Sequence, residues 1–157
     1  MDKTTATMDA TATTDYVTAM IGGQLFGLPI GRVQDVFMPE RLTRVPLASH
    51  DIAGVLNLRG RIVTAIDMRA RLGLAHGEKT GPSMAIGVDL RGESYGLLID
   101  TIGEVLKLNE ADREANPVNL DPGIAQVSAG IHRLENQLMV VLDVDRVLDR
   151  ESESVAA

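Results

Sequence analysis

The sequence has no cysteine and no tryptophan among its 157 residues, and aromatic side chains make up only 3% of it. Without cysteine, the chain can form no disulfide, no thiolate metal site and no cysteine nucleophile. With two Phe and two Tyr, a core has to be filled by Val, Ile, Leu and Met. We therefore expect an aliphatic core within one domain of ordinary size.

Positive charge and long apolar runs are also scarce. Lys and Arg number 15 against 22 Asp and Glu, which gives a net charge of −7. Nucleic acids and anionic membranes attract basic surfaces, so this charge argues against both as partners. No stretch approaches the ~18 continuous apolar residues of a membrane span, and the N-terminus lacks a signal-peptide pattern. We therefore expect a cytoplasmic protein without direct membrane insertion.

Short apolar segments separated by turn signals dominate the middle of the chain. Three pairs predict β-hairpins, with turns at Gly22-Gly23, at Arg91-Gly92-Glu93 and near Glu135-Asn136. Residues 62–66 predict a buried strand, and residues 68–72 and 144–148 predict short helices. This pattern predicts an all-β sandwich or barrel over residues 15–150. Residues 1–14 and 151–157 are polar and aperiodic, and we expect flexible tails there.

The chain contains an internal repeat made of two blocks in the same order. FGLPIGRVQDVF, which starts at Phe26, resembles YGLLIDTIGEVL, which starts at Tyr95. GVLNLRGRIVTAIDMRARL, from Gly54, resembles GIHRLENQLMVVLDVDRVL, from Gly130. Neither unit is long enough to enclose a large core alone. The repeat therefore predicts two related β units that share one core.

A search for catalytic or metal-binding patterns finds none with the necessary spacing. His50, His76 and His132 lie far apart, whereas a zinc site needs three or four converging ligands. Asp67 and Asp143 occupy equivalent strand ends, which allows two interpretations. They could form a carboxylate pair for acid–base chemistry, or each could cap the short helix that follows it. We favour the caps.

The turn around Gly60 carries two arginines, Arg59 and Arg61, in an acidic protein. The second repeat has Glu135 where the first has Arg59. The fold therefore does not require an arginine at this turn. Because arginine suits planar contacts at interfaces, we expect Arg59 to contact a partner, and we leave Arg61 undecided.

These segments, and above all the pattern GVLNLRGRIVTAIDMR, resemble the CheW family of chemotaxis coupling proteins. The resemblance extends over about residues 16–148 and implies two intertwined, SH3-like, five-stranded β-barrels packed on a shared core, with short helices after strands. It also implies a non-enzymatic adaptor without cofactors. Such adaptors join the cytoplasmic tip of methyl-accepting chemoreceptors to the regulatory domain of the histidine kinase CheA, in receptor arrays at the membrane.

Carried over by position, the resemblance implies partner-binding roles for ten residues: Val33, Asp35, Val36, Gly54, Asn57, Leu58, Arg59, Gly60, Gly96 and Ile102. Core packing is the competing interpretation for Val33, Val36 and Ile102. A monomer is expected in isolation. Two alternatives stay open: the same adaptor role in another CheA-type pathway, such as twitching motility, and an enzyme that uses Asp67 and Asp143.

Overall fold

The computed structural model describes residues 12–74 and 84–149. It contains ten β-strands: β1 Thr13–Ile21, β2 Gln24–Pro29, β3 Asp35–Phe37, β4 Ile52–Leu58, β5 Arg61–Asp67, β6 Met84–Leu90, β7 Glu93–Ile99, β8 Thr101–Asn109, β9 Ser128–Arg133 and β10 Leu138–Leu142. Three short helices follow the same chain order: α1 Met68–Leu72, α2 Pro122–Ala125 and α3 Val144–Leu148. Two 3₁₀ turns cover Ile30–Arg32 and Glu110–Asp112.

The strands form two five-stranded sheets, which confirms the predicted all-β fold of two SH3-like units. The first sheet has the order β8-β1-β2-β10-β9, and the second has the order β3-β6-β7-β5-β4. When each strand is replaced by its counterpart in the other repeat, the first order becomes the second. The internal repeat is therefore a real structural repeat.

Each sheet draws strands from both repeats, so neither repeat forms a sheet by itself. The three predicted hairpins are present as the antiparallel pairs β1–β2, β6–β7 and β9–β10. The repeats are joined by parallel pairs that the hairpin pattern did not predict: β5 lies beside β7, and β10 lies beside β2. The two repeats therefore cannot separate without breaking strand pairs.

The core consists of three clusters of buried side chains, nearly all of them aliphatic. One cluster lies inside the second sheet and contains Phe37, Leu56, Val63, Ala65, Ala85 and Leu98. Another lies inside the first sheet and contains Tyr16, Leu25, Met139 and Val141. The largest joins the two sheets and includes Ile21, Phe26, Leu28, Ile66, Ile86, Leu97 and Val140. Burial of this much apolar surface between the sheets makes them one folding unit.

Aspartates start two of the short helices, as predicted. The Asp67 carboxylate accepts hydrogen bonds from the backbone N–H groups of Arg69 and Ala70 at the start of α1. The Asp143 carboxylate accepts one from the N–H of Arg146 at the start of α3. These bonds satisfy donors that have no partner within the helix.

Three observations bear on other expectations from the sequence. Strand β1 begins at Thr13, so the last two residues of the expected N-terminal tail, 13 and 14, pair with β8. Ile62, expected in a buried strand, is 65% exposed. Over residues 12–74 and 84–149, no helix is long and apolar enough to cross a membrane.

Candidate functional site

The NLRG segment forms the two-residue turn between β4 and β5, where Leu58 pairs with Arg61. Both turn residues have positive φ, 51° at Arg59 and 85° at Gly60. Such a pair is typical of a type I′ turn, which matches the twist of the two strands. The Asn57 side chain accepts a hydrogen bond of 2.8 Å from the N–H of Gly60. Asn57 and Gly60 therefore build the turn, and Arg59 occupies a position that most residues avoid.

The Arg59 guanidinium reaches from this turn to strand β3. Its Nη1 lies 3.2 Å from Oδ2 of Asp35, and the arginine side chain is 73% exposed. Asp35 packs its carboxylate against Gly87, where a Cβ would collide with it. Strands β3 and β4 are the two edges of their sheet, so this ion pair bridges the gap between the edges. An exposed pair of this kind contributes little to stability, between about 0 and 1 kcal/mol.

Beneath the ion pair lies a cleft of about 230 Å³ with both apolar and charged walls. Its lining includes Asp35, Phe37, Leu58, Arg59, Arg61, Val63, Asp89, Ser94 and Tyr95. Arg61 donates to the Ser94 hydroxyl and lies 3.5 Å from Asp89. Both arginines therefore have acidic partners on other strands of the sheet, Asp35 on β3 and Asp89 on β6, at the rim of an amphipathic cleft.

The three aliphatic site residues predicted on β3, β8 and the segment before β3 occupy different environments. Val36 is 38% exposed and Ile102 is 37% exposed. Val33, the repeat counterpart of Ile102, packs against the shared core. The structure therefore keeps Val36 and Ile102 available for contact, each on an edge strand of its own sheet, and gives Val33 a packing role.

Gly54 and Gly96 are buried, and each is required by close packing. A Cβ on Gly54, whose φ is 153°, would lie 2.6 Å from the carbonyl oxygen of Thr43. At that point Thr43 forms a β-bridge with Val55, beside a bulge in β4. A Cβ on Gly96 would lie 3.2 Å from the Phe37 ring. These two glycines therefore shape the site from within.

Three exposed aliphatic residues were missed in the sequence. Val105 is 53% exposed, Met38 is 54% exposed and Ile62 is 65% exposed. Val105 is the repeat counterpart of Val36, so the alignment of the two halves already contained a signal for it. Ile62 pairs with Asn57 across the hairpin. Ile62 therefore adds an exposed aliphatic side chain beside the turn.

The turn of the second repeat closes without arginine and without positive φ. Glu135 and Asn136 have ordinary backbone angles, and the Leu134 N–H donates to the Gln137 carbonyl at 2.8 Å. At this place in the fold, only the first repeat thus has an arginine at positive φ. This contrast agrees with a role for Arg59 outside the fold.

Over residues 12–74 and 84–149, no group of three or more His, Asp or Glu is placed to hold a metal ion. His76 lies outside the described residues. Burial holds the pKa of His132 below its usual range, and the His132 ring packs against Tyr16 at 5.6 Å between centroids. Asp67 and Asp143 are occupied as helix caps.

The described residues form two paired, SH3-like β-barrels with an arginine-bearing turn at the rim of an amphipathic cleft, an arrangement suited to binding other proteins. The model of the CheW-like domain family matches residues 15–152. The chemotaxis protein CheW of Bacillus subtilis (strain 168) is 30% identical over 137 residues, covering 87% of this chain and 88% of the relative.

Two relatives of lower sequence identity also carry the CheW name. The chemotaxis protein CheW of Thermotoga maritima is 24% identical over 141 residues, covering 90% of this chain and 91% of the relative. The crystal structure of the scaffolding protein TtCheW from Thermoanaerobacter tengcongensis matches with a TM-score of 0.79 and 26% identity, covering 88% of this chain and 89% of that one. The chain belongs to the CheW family and is a chemotaxis scaffolding protein.

Proposed function

We propose that the chain is a non-enzymatic adaptor that couples the cytoplasmic tips of methyl-accepting chemoreceptors to the regulatory domain of the histidine kinase CheA. It acts in the cytoplasm, at receptor arrays on the membrane. Membership of the CheW family supports this role. The observation that best supports this role concerns Arg59. Its side chain is largely exposed although its backbone is strained, and the equivalent turn of the other repeat has no arginine.

Two surfaces on the chain are suited to protein partners. The first, here called the turn surface, consists of Asp35, Val36, Asn57, Leu58 and Arg59. Asp35, Leu58 and Arg59 line the cleft and combine a planar cation with an apolar side chain, a combination typical of interface hot spots. Val36 and Asn57 are exposed outside the cleft. Gly54, Gly60, Gly96 and Val33 hold this surface in shape and are assigned no direct contact.

The second surface, here called the β8 surface, consists of Ile102 and Val105 on the edge strand of the other sheet. These positions are exposed and aliphatic, which suits the apolar face of a receptor helix. The shared core fixes the β8 surface relative to the turn surface. A partner on one surface is thereby held at a fixed position relative to a partner on the other.

This geometry permits coupling without catalysis by the adaptor. A receptor that changes conformation alters its contacts with the adaptor and the kinase, and so shifts the balance between kinase states. Each contact can be weak, because simultaneous contacts in an array raise the effective concentration of every partner.

The proposal is tested by capture of the kinase regulatory domain and a receptor cytoplasmic fragment on immobilised adaptor. Arg59→Glu is expected to reduce the captured amounts about tenfold or more, as for an interface hot spot. The double variant Arg59→Asp with Asp35→Arg restores an ion pair across the cleft but not the cation at the turn. Capture by the double variant is expected to stay low.

Full recovery of capture by the double variant would contradict a direct contact. In that case Arg59 would matter only through its pair with Asp35. The matched control is reversal of another exposed pair, Arg133→Glu with Glu114→Arg, whose atoms lie 3.0 Å apart. This control is expected to capture both partners as well as the unmodified chain does.

A further inference from the structure

Two ion pairs join a short helix to the corner that follows a neighbouring strand, one in each half of the molecule. In one half, Nε and Nη2 of Arg69 in α1 donate to the two carboxylate oxygens of Asp100, at 3.0 and 2.7 Å. Asp100 directly follows β7. In the other half, Asp145 in α3 lies 2.9 Å from Arg32, in the 3₁₀ turn that follows β2.

The two pairs occupy equivalent places but have opposite polarity. Arg69 and Asp145 are counterparts in the repeat alignment, and Asp100 and Arg32 lie within one position of being counterparts. In one half the helix carries the positive charge and the corner the negative charge. In the other half the signs are reversed. A repeat that merely conserved a useful ion pair would keep the same sign on the helix in both copies.

The reversed signs of the two ion pairs affect which of two hairpins packs against which sheet. Each helix follows a hairpin, β4–β5 or β9–β10, whose second strand pairs in parallel with a strand of the other repeat. Because the two halves are alike, the hairpins could in principle exchange places. The connections before them, residues 38–51 and 110–127, do not forbid exchange. At about 3.4 Å per residue, even the shorter one reaches roughly 45 Å.

In the exchanged arrangement like charges would meet at both corners. Arg69 would face Arg32, and Asp145 would face Asp100. The side chains of Arg69 and Asp100 are only 16% and 23% exposed, so water could screen a repulsion there only in part. Asp100 also accepts a 2.9 Å hydrogen bond from the N–H of Gly22, which holds the carboxylate at that corner.

We propose that the reversed polarity of these two ion pairs directs each hairpin–helix unit to its own sheet during folding. Attraction favours the observed docking, and repulsion disfavours the exchanged one, which is how specificity between similar partners is obtained. The docking of the β4–β5 hairpin also decides which residue lies beside Arg59. Correct docking places Arg59 beside Asp35, whereas exchanged docking would place it beside Glu104, the repeat counterpart of Asp35.

The test is refolding of a variant in which both helices carry the same sign. Arg32→Asp with Asp145→Arg keeps an ion pair at its corner, yet makes both docking arrangements equally complementary. The chain has no cysteine, so introduced thiols report docking cleanly. Cysteines at 59 and 35 report native docking, cysteines at 59 and 104 report exchanged docking, and a short bis-maleimide links either pair.

After refolding from denaturant, the unmodified background is expected to give only the link between 59 and 35. The Arg32→Asp, Asp145→Arg variant is expected to give the 59–104 link in about a tenth or more of the molecules. The proposal is overturned if this variant gives the native link alone. It is also overturned if the exchanged link appears equally in a control with the exposed Arg133–Glu114 pair reversed.

A second variant tests the proposal even if the Arg32→Asp, Asp145→Arg variant refolds poorly. Reversing both ion pairs at once, with Arg69→Asp and Asp100→Arg added, restores opposite polarity in the two halves. This variant is expected to refold with the yield of the unmodified chain and to give only the native link. A poor yield, or a mixture of links, would overturn the proposal.

Discussion

Replacement of Arg59 by Asn separates what this residue does for the fold from what it does for a partner. Arg59 has φ of 51° and precedes Gly60 at 85°. Asn-Gly is the preferred pair for a type I′ turn, because Asn tolerates the left-handed region that costs a bulky side chain about 1–2 kcal/mol. The substitution therefore improves the turn while it removes the guanidinium.

The expected change in stability follows from two opposing contributions. Relief of the backbone strain favours the variant by about 1 kcal/mol. Loss of the pair with Asp35, whose arginine is 73% exposed, costs between about 0 and 1 kcal/mol. The free energy of unfolding is therefore expected to stay level or rise by up to about 1 kcal/mol, which corresponds to at most ~4 °C in Tm. Urea denaturation measures this change.

Binding is expected to move in the opposite direction. Loss of an interface arginine costs about 1–3 kcal/mol, so the Kd for the kinase regulatory domain or the receptor fragment should rise by about 5- to 150-fold. Calorimetric titration of each partner measures this change. The assay also identifies which partner Arg59 contacts.

The matched control is Arg91→Asn, in the turn between β6 and β7. Arg91 has φ of 52° and is followed by Gly92 at 80°, so the same substitution relieves the same strain. Arg91→Asn is expected to match Arg59→Asn in stability and to bind both partners normally. A direct contact between Arg59 and a partner is refuted if Arg59→Asn leaves both affinities within twofold, or if the two variants weaken binding equally.

Three further perturbations test the fold. Gly54→Ala should lower the free energy of unfolding by about 1–3 kcal/mol, because its Cβ would meet the Thr43 carbonyl at 2.6 Å. Gly60→Ala adds the backbone strain of φ 85° but no collision, so it should cost less in the same urea titration. Ile66→Asp should abolish cooperative thermal unfolding, since Ile66 is fully buried. Burial lowers the pKa of His132 in the folded chain, so the unfolded chain binds a proton at this histidine at a higher pH than the folded chain does. The free energy of unfolding should therefore fall as pH drops below about 6.5, by at most ~1.4 kcal/mol per pH unit. His132→Gln should flatten that decline.

Local features of the fold could be predicted from the sequence because they depend on neighbouring residues. The three hairpins needed only period-2 patterns and turn signals, and both helix caps needed an aspartate before a short apolar patch. The pairing of β5 with β7 and of β10 with β2 could not be predicted in this way. An alternating pattern shows which side chains face a core, but it does not show which distant strand lies alongside.

In the candidate site, too, the local features could be predicted from the sequence and the contacts between distant segments could not. Arg59 stood out because the repeat offered Glu135 as a comparison within one chain. Its contact with Asp35 depends on the approach of two sheet edges, and no sequence spacing encodes that approach. Gly54 was predicted at a site and proved to be a packing requirement, because a glycine needed for a close backbone contact and one needed at a binding surface look alike in sequence.

The central claim is that this chain links receptors to a kinase, and reconstitution of kinase control tests it most directly. Receptor-containing membranes, CheA and increasing amounts of the chain are combined, and CheA autophosphorylation is measured with and without a receptor ligand. Receptor-dependent CheA activity is expected to appear only when the chain is present, to saturate with its concentration, and to be lost with Arg59→Glu. Kinase activity that responds to the receptor ligand equally well without the chain would contradict the account.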